Sequence, residues 1–235
     1  MGNTRIKLGM FERNILTGWA SFHYDQEGEL MAWMEDHPVD SSILSSVKSA
    51  DHPLVREIQT RFNPNRFNGR SPLPVLLQYQ TPDTLGQDRI AALCGGQALY
   101  PERDLFIVNA GSCITYDLLT RSGIFEGGNI APGMKMRWQA MHEFTGRLPL
   151  VDPDQRVEND QILGRNTIEA LLLGVTQGIQ AEIDHYFSIL KLKYPGLELV
   201  MSGGDAVYLS ALEGRAMILE PNLVLYGLNQ ILQHS

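Results

Sequence analysis

Cysteine is nearly missing from this chain, with only Cys94 and Cys113 in 235 residues. Two distant thiols exclude a disulfide framework and a zinc-ligand set. Both lie in apolar segments, AALCGG and AGSCITY, which reads as two buried reduced thiols. The six histidines show neither H-x-x-H nor H-E-x-x-H spacing, so no zinc hydrolase is expected. Basic charge is in deficit: 19 Lys+Arg against 27 Asp+Glu leaves a net charge of -8. That excludes a nucleic-acid binder with a broad basic surface, although one local anion pocket stays compatible with it. No apolar run is long enough for a membrane span, and the opening MGNTRIKLGM lacks the apolar segment of a signal peptide, so no membrane partner and a cytoplasmic location are expected. Also missing are G-x-x-x-x-G-K-[ST], a G-x-G-x-x-G following a strand, and G-x-S-x-G, which excludes a P-loop ATPase, a dinucleotide-binding domain and an α/β-hydrolase.

What is present is ordinary globular material, 43% hydrophobic and 20% charged, enough for one large domain or two modest ones. Ile6, Leu8 and Met10 alternate with Lys7 and Gly9, and with Ile15–Phe22 they predict a hairpin turning near Arg13 and Asn14. An amphipathic stretch around Leu30, Met31 and Met34 follows, then a short apolar run over Ser42–Val47, a helix over Pro53–Phe62 and a strand over Val75–Leu77. A helix is expected from about Gly86, with Ile90, Leu93 and Cys94 on one face. Strands are predicted over Asp104–Val108, Ile114–Leu118 and Ile124–Ile130, and the longest helix carries Ile168, Leu171, Leu172, Val175, Ile179, Ile183 and Phe187 at spacings of 3 or 4. Leu197–Met201 is a final strand, with two helical stretches after it. Both halves open on antiparallel strands and go on to alternating strands and helices. That pattern suggests a duplicated α/β unit, residues 1–100 and 101–235, with a ligand cleft between the halves.

Three glycine-rich turns sit at strand ends: Gly2-Asn3-Thr4, Asn109-Ala110-Gly111-Ser112 and Gly203-Gly204. Such turns let backbone N–H groups approach phosphate oxygens, and Thr4 and Ser112 add hydroxyl donors. Each alone reads as a structural turn, since short glycine motifs are often no more than that; three at the same kind of position can together clamp a nucleotide. The segment Tyr79 to Arg89 leads through Pro82 to Gly86, placing Asp88 and Arg89 in the first turn of a helix. Asp88 there fits a dipole-satisfying carboxylate or a general base, and Arg89 fits a surface ion pair or an anion clamp. Position alone does not choose between these.

Seven strings occur in a telling order: Gly2-Asn3-Thr4-Arg5-Ile6-Lys7, Leu85-Gly86-Gln87-Asp88-Arg89, the run from Ala110 to Asp117, Gly127-Gly128-Asn129-Ile130-Ala131-Pro132-Gly133, Leu148-Pro149, Gly164-Arg165-Asn166-Thr167 and Ser202-Gly203-Gly204. In this order, over nearly the whole chain, they resemble the type III pantothenate kinases. The resemblance implies an α/β, duplicated ribonuclease-H-like (actin-like ATPase) fold with two similar halves, and a homodimer formed through the second half. It implies a transferase that moves the ATP γ-phosphate to the primary hydroxyl of pantothenate, the first step of coenzyme A biosynthesis. It makes Asp88 the base, with Tyr79, Gly86, Gln87, Asp88, Arg89 and Thr167 as pantothenate contacts. Gly2, Asn3, Thr4, Arg5, Ile6 and Lys7 become the first phosphate turn and Ser112 an ATP contact. Mg²⁺ would accompany ATP, with a monovalent cation, K⁺ or NH₄⁺, at Asn109.

The chain departs from that family in two places. The family motif is D-x-G-N-T, but only Met1 precedes Gly2. The aspartate therefore has no position, and the strand leading into the turn is missing, so Gly2-Asn3-Thr4 is expected to fray. One explanation is a start placed at an internal methionine, with apolar codons ending in Asp upstream. Another is a degenerate homologue that binds ligand without fast turnover, and a regulatory or scaffold protein of the same fold is a third. The second departure is Asn109, where the family has a cation-binding aspartate. The oxygen remains and the charge is lost, so cation binding is expected to weaken. Ser112 stands for the usual threonine and keeps its hydroxyl.

Overall fold

The computed structural model describes residues 1–67, 71–152, 155, 161–212 and 216–234. They form two compact units. The first takes residues 1–102, 121–126 and the chain from Asn222 onward; the second takes 103–120 and 127–221.

In the first unit, β1 (Arg5–Glu12) and β2 (Ile15–His23) form the expected hairpin, with Arg5 opposite His23 and a bulge at Met10/Phe11. Alternation puts Ile6 in the core, against Leu30 and Met31 of α1 (Glu27–Asp36) and Leu54 and Ile58 of α2 (Pro53–Phe62). Helix α2 has proline in its first turn and closes on a left-handed Asn63, the two ends at which those residues are favoured. The apolar run over 42–47 holds only the short β3 (Ile43–Leu44), paired parallel with β4 (Asn65–Arg66), and the predicted strand over 75–77 shrinks to β5 (Leu76–Leu77). Pro64 adjoins β4 and Pro72 and Pro74 precede β5, so the ladders lose donors on those sides. A 3₁₀ turn at Pro82–Thr84 then leads to α3 (Gln87–Leu99).

Helix α3 packs on α7 (Leu223–His234) at backbone range. A Cβ on Gly227 would stand 1.7 Å from the Ala91 carbonyl oxygen, and one on Gly95 would stand 2.2 Å from that of Leu223. Only glycine permits so close an approach.

In the second unit the strands run in the order β10-β9-β6-β7-β8: β6 (Leu105–Ala110), β7 (Cys113–Leu119), β8 (Ile124–Pro132), β9 (Glu198–Ser202) and β10 (Ile218–Leu219). β8 begins in the first unit, where Leu76 and Leu77 pair parallel with Ile124 and Phe125. β6 and β7 are antiparallel, while β6 and β9 are parallel. One face of these strands presents Phe106, Val108, Ile114, Tyr116, Leu199 and Met201 to a core completed by Trp138 of α4 (Met134–Glu143) and the apolar stripe of α5 (Thr167–Lys193). The indole Nε1 of Trp138 donates to the Leu171 carbonyl at 3.0 Å, tying α4 to α5. α6 (Ala206–Leu212) follows β9.

The two thiols do not share a fate. Cys94 is fully buried, but Cys113 is exposed. It opens β7 directly after the Gly111-Ser112 turn and faces away from the core that takes its neighbour Ile114. Among the described residues no helix is long and apolar enough to cross a membrane.

Candidate functional site

In the first unit, Gly86 caps α3, its carbonyl accepting from the N–H groups of Arg89 and Ile90, both at 3.1 Å. Asp88 therefore sits in the first turn, where the helix dipole favours a carboxylate, and its side chain is exposed. Arg89 points the other way and is only 3% exposed. Its guanidinium lies 5.8 Å from the ring centroid of Tyr79 and 5.6 Å from that of Phe125, within cation–π range. A surface ion pair is therefore the wrong description of this arginine. Tyr79 is placed by the β5–β8 pairing: Gln78 N–H donates to the Phe125 carbonyl at 3.1 Å, and the two rings stand 5.6 Å apart.

The turn at Gly2 is not frayed. Gly2 N–H donates to the Arg5 carbonyl at 3.0 Å, the Tyr24 hydroxyl donates to the Gly2 carbonyl at 2.6 Å, and Val47 N–H donates to Met1 O at 3.0 Å. These bonds do what a preceding strand was expected to do. Ser45 then joins this turn to helix α3: its carbonyl accepts from the Met1 amine at 2.6 Å, and its hydroxyl donates to Oε1 of Gln87 at 3.1 Å. Burial pulls the amine pKa down to about 6, partly offset by the charge of Asp88. The first unit thus gathers the Gly2–Lys7 turn, Gln87, Asp88, Arg89 and Tyr79. Ser45 and Phe125, which complete this arrangement, carry no signal in the sequence, because a loop serine and a strand phenylalanine are common everywhere.

In the second unit the turn after β6 is tight. Gly111 N–H donates to the Cys113 carbonyl and Gly133 N–H to that of Ser112, each at 3.0 Å. A Cβ on Gly133 would stand 2.0 Å from the Gly111 carbonyl oxygen, which accounts for the glycine at the end of the G-G-x-I-x-P-G string. The turn after β9 reaches the same place: Asp205 N–H donates to the Ala110 carbonyl at 3.1 Å, beyond Gly203 with its φ of 96°. Thr167 is the exposed first residue of α5. A reciprocal cap fixes it, since Asn166 Oδ1 accepts from Glu169 N–H at 3.0 Å while Glu169 Oε2 accepts from Arg165 N–H at 2.7 Å. The Arg165 N–H, with the side-chain amides of Gln161 and Asn166 that also donate to it, holds the Glu169 carboxyl below its ordinary range.

Asn109 has two in-register neighbours, Thr115 on β7 and Ser202 on β9. Cross-strand partners share a face, so three small polar side chains form one row. Thr115 and Ser202 are 5% and 1% exposed, and among the described residues neither hydroxyl has a hydrogen-bond partner. Buried hydroxyls normally have one. Two orphaned oxygens flanking a carboxamide fit a monovalent cation, which takes neutral oxygen donors.

The type III pantothenate kinase family model matches residues 1–188. A type III pantothenate kinase of Porphyromonas gingivalis is 36% identical over 236 residues, covering 100% of this chain and 96% of that protein. One from Bacteroides fragilis is 35% identical over 239 residues with the same coverage. Among solved structures, a conserved Baf family protein from Campylobacter jejuni superposes with a TM-score of 0.59 at 23% identity, covering 98% of this chain and 94% of that one. The ethanolamine utilization protein EutJ from Carboxydothermus hydrogenoformans gives 0.52 at 11% identity, covering 100% and 87%. These two likenesses speak to the fold alone, which is an α/β fold.

Proposed function

The chain belongs to the type III pantothenate kinase family, and on that premise we propose that it transfers the γ-phosphoryl group of ATP to the primary hydroxyl of pantothenate, giving 4′-phosphopantothenate for coenzyme A synthesis in the cytoplasm. The reading rests on one observation above the others: an exposed carboxylate, Asp88, at a helix start beside an arginine anchored on two rings. Asp88 accepts the hydroxyl proton as the new O–P bond forms, the bond to the β-phosphate oxygen breaks, and ADP leaves. Arg89, with its orientation set by Tyr79 and Phe125, holds the substrate side, with Gly86, Gln87 and Thr167 as further contacts. The Gly2–Lys7 turn and the Ser112 hydroxyl take the phosphates.

Mg²⁺ bound with ATP would offset the charge of the phosphates. A monovalent cation would be held by the Asn109 carboxamide oxygen with the hydroxyls of Thr115 and Ser202. Pairing as a homodimer through the second unit is part of the proposal, supported by Phe144, Leu150, Ile162 and Leu163, all exposed there. A coupled assay of ADP release with ATP, Mg²⁺, K⁺ and pantothenate tests the reading, with mass spectrometry of the product. Turnover that needs pantothenate is expected. Absence of phosphorylated pantothenate from folded protein would sink it, and light scattering that gives a monomer at micromolar concentration would remove the dimer.

A further inference from the structure

One partly buried charge cluster lies outside the residues assigned to the site so far. Tyr116 on β7 is 2% exposed, and its hydroxyl donates to Oε2 of Glu182 on α5 at 2.7 Å. Arg137 on α4 grips the same carboxylate with both ends of its fork, Nη1 to Oε1 and Nη2 to Oε2, each at 2.7 Å. Its Nε donates to the Pro132 carbonyl at 2.8 Å. Burial works to raise the Glu182 carboxyl, but hydrogen bonds from Arg137 and Tyr116 outweigh it and keep the group below the usual carboxylate range. Burial, then the hydrogen bond to Glu182, pushes the Tyr116 phenol up. The cluster is therefore a phenol, a carboxylate and a guanidinium, not a set of shared protons.

Its position matters more than its charge. Pro132 ends β8, and the next residue, Gly133, donates to the Ser112 carbonyl and sits so close to Gly111 that no Cβ fits. A shift at Pro132 thus passes to the Gly111-Ser112 turn without slack. Tyr116 belongs to the strand that leaves the same turn. Both the strand running out of the turn and the junction packed on it are therefore referenced to one carboxylate.

We infer that Glu182 is a positioning residue for nucleotide binding, acting through Arg137 and Tyr116 on the Gly111-Ser112 turn. The inference rests on reading that turn as the phosphate-binding one. Losing a hydrogen-bonded partner of a charged group in this frame should move the turn off its donor geometry. Nucleotide affinity should then fall by roughly tenfold, while the Asp88 side of the reaction is untouched.

The test uses the full chain with Glu182→Gln, Tyr116→Phe and the double variant Glu182→Gln/Arg137→Gln. Dissociation of a non-hydrolysable ATP analogue with Mg²⁺ is measured by calorimetry, beside KM for ATP, KM for pantothenate and kcat. Support is a rise of about tenfold in analogue Kd and in KM for ATP for Glu182→Gln, with KM for pantothenate and kcat at saturating ATP within about threefold. Tyr116→Phe should shift the same two constants less, and the double variant no more than the single one, since all act on one link. An unchanged analogue Kd in folded Glu182→Gln and Tyr116→Phe overturns the inference. So does a parallel worsening of all constants that merely tracks the melting temperature, or failure of both single variants to fold, which would make the cluster a folding requirement only. Wild type that binds the analogue yet leaves pantothenate unphosphorylated counts against the substrate reading and leaves the brace standing. Wild type that binds no analogue overturns both.

Discussion

The carboxylate of Asp88 folds back over Gly86, so that Oδ1 lies 2.6 Å from where a Cβ on that glycine would be. The glycine of the G-x-D-R string is thus the floor on which the proposed base rests. Gly86→Ala should push the carboxylate aside and leave α3 intact, lowering kcat by about 10–10²-fold, while Asp88→Asn costs ~10²-fold or more. The double variant should be no worse than Asp88→Asn alone, because both changes remove one function. Additive losses in a steady-state assay would show that Gly86 acts elsewhere.

Arg89→Lys keeps the charge and loses the planar fork that lies against Tyr79 and Phe125. KM for pantothenate is expected to rise roughly tenfold, the scale of a lost bidentate charged contact. Phe125→Leu should move it the same way by less. Wild-type KM for pantothenate in Arg89→Lys would remove Arg89 from the substrate side.

Potassium should stabilise the protein without any substrate. Replacing K⁺ by choline is expected to lower the melting temperature by a few degrees, since a ligand that binds only the folded state stabilises it by mass action. Thr115→Val/Ser202→Ala should abolish the difference, and Asn109→Asp should enlarge it by restoring a charge. A melting temperature indifferent to K⁺ in all three proteins would dismiss the row as a cation site.

The two cysteines should report the fold. Burial pushes the Cys94 thiol up to about 12, so near neutral pH it is neither accessible nor ionised. One thiol per native chain should react with an aromatic disulfide at pH 8, at Cys113, and two in denaturant. Two fast-reacting thiols in the native protein would contradict the placement of Cys94.

Acid should loosen the Glu182 cluster first on one side of the pH scale. The folded pKa of Glu182 lies below its ordinary 4.5, so its contribution is full above that value and fades as pH falls through the lower, folded one. Wild type should therefore lose more stability than Glu182→Gln between about pH 5 and pH 3, as read by denaturant midpoints. Parallel curves would mean that the pair adds nothing in solution.

Much of this was visible in the chain itself. The 2-residue alternation at Ile6–Met10, the 3.6-residue stripe of α5 and the glycine-rich turns reported their elements, because burial on one face imposes those periods. The resemblance located the family, and the family model and full-length relatives agree with it. What stayed hidden depended on pairing between distant segments. Alignment of Asn109 with Thr115 and Ser202 is a matter of strand register. Burial of Arg89 depends on Phe125, 36 positions away by number, arriving through β8. The turn at Gly2 holds because Tyr24 and Val47 reach it, and the exposure of Cys113 follows from which face of β7 its position falls on. Local composition records none of these.

Helix α7 lies after the whole second unit in the chain, yet it packs on α3 through Gly95 and Gly227 with no room for a side chain. Its Asn229 and Gln233 side chains also donate to the Arg13 carbonyl at the tip of the hairpin. A ribosome therefore delivers the helix that carries Asp88 long before it delivers the surface that helix packs against. Until α7 emerges, α3 shows the nascent chain an uncovered small-residue groove, and the first unit must wait, with chaperone help where it is needed, for the second to be made. Premature termination anywhere after Pro221 should yield a chain whose second unit can close while its first stays open to proteases.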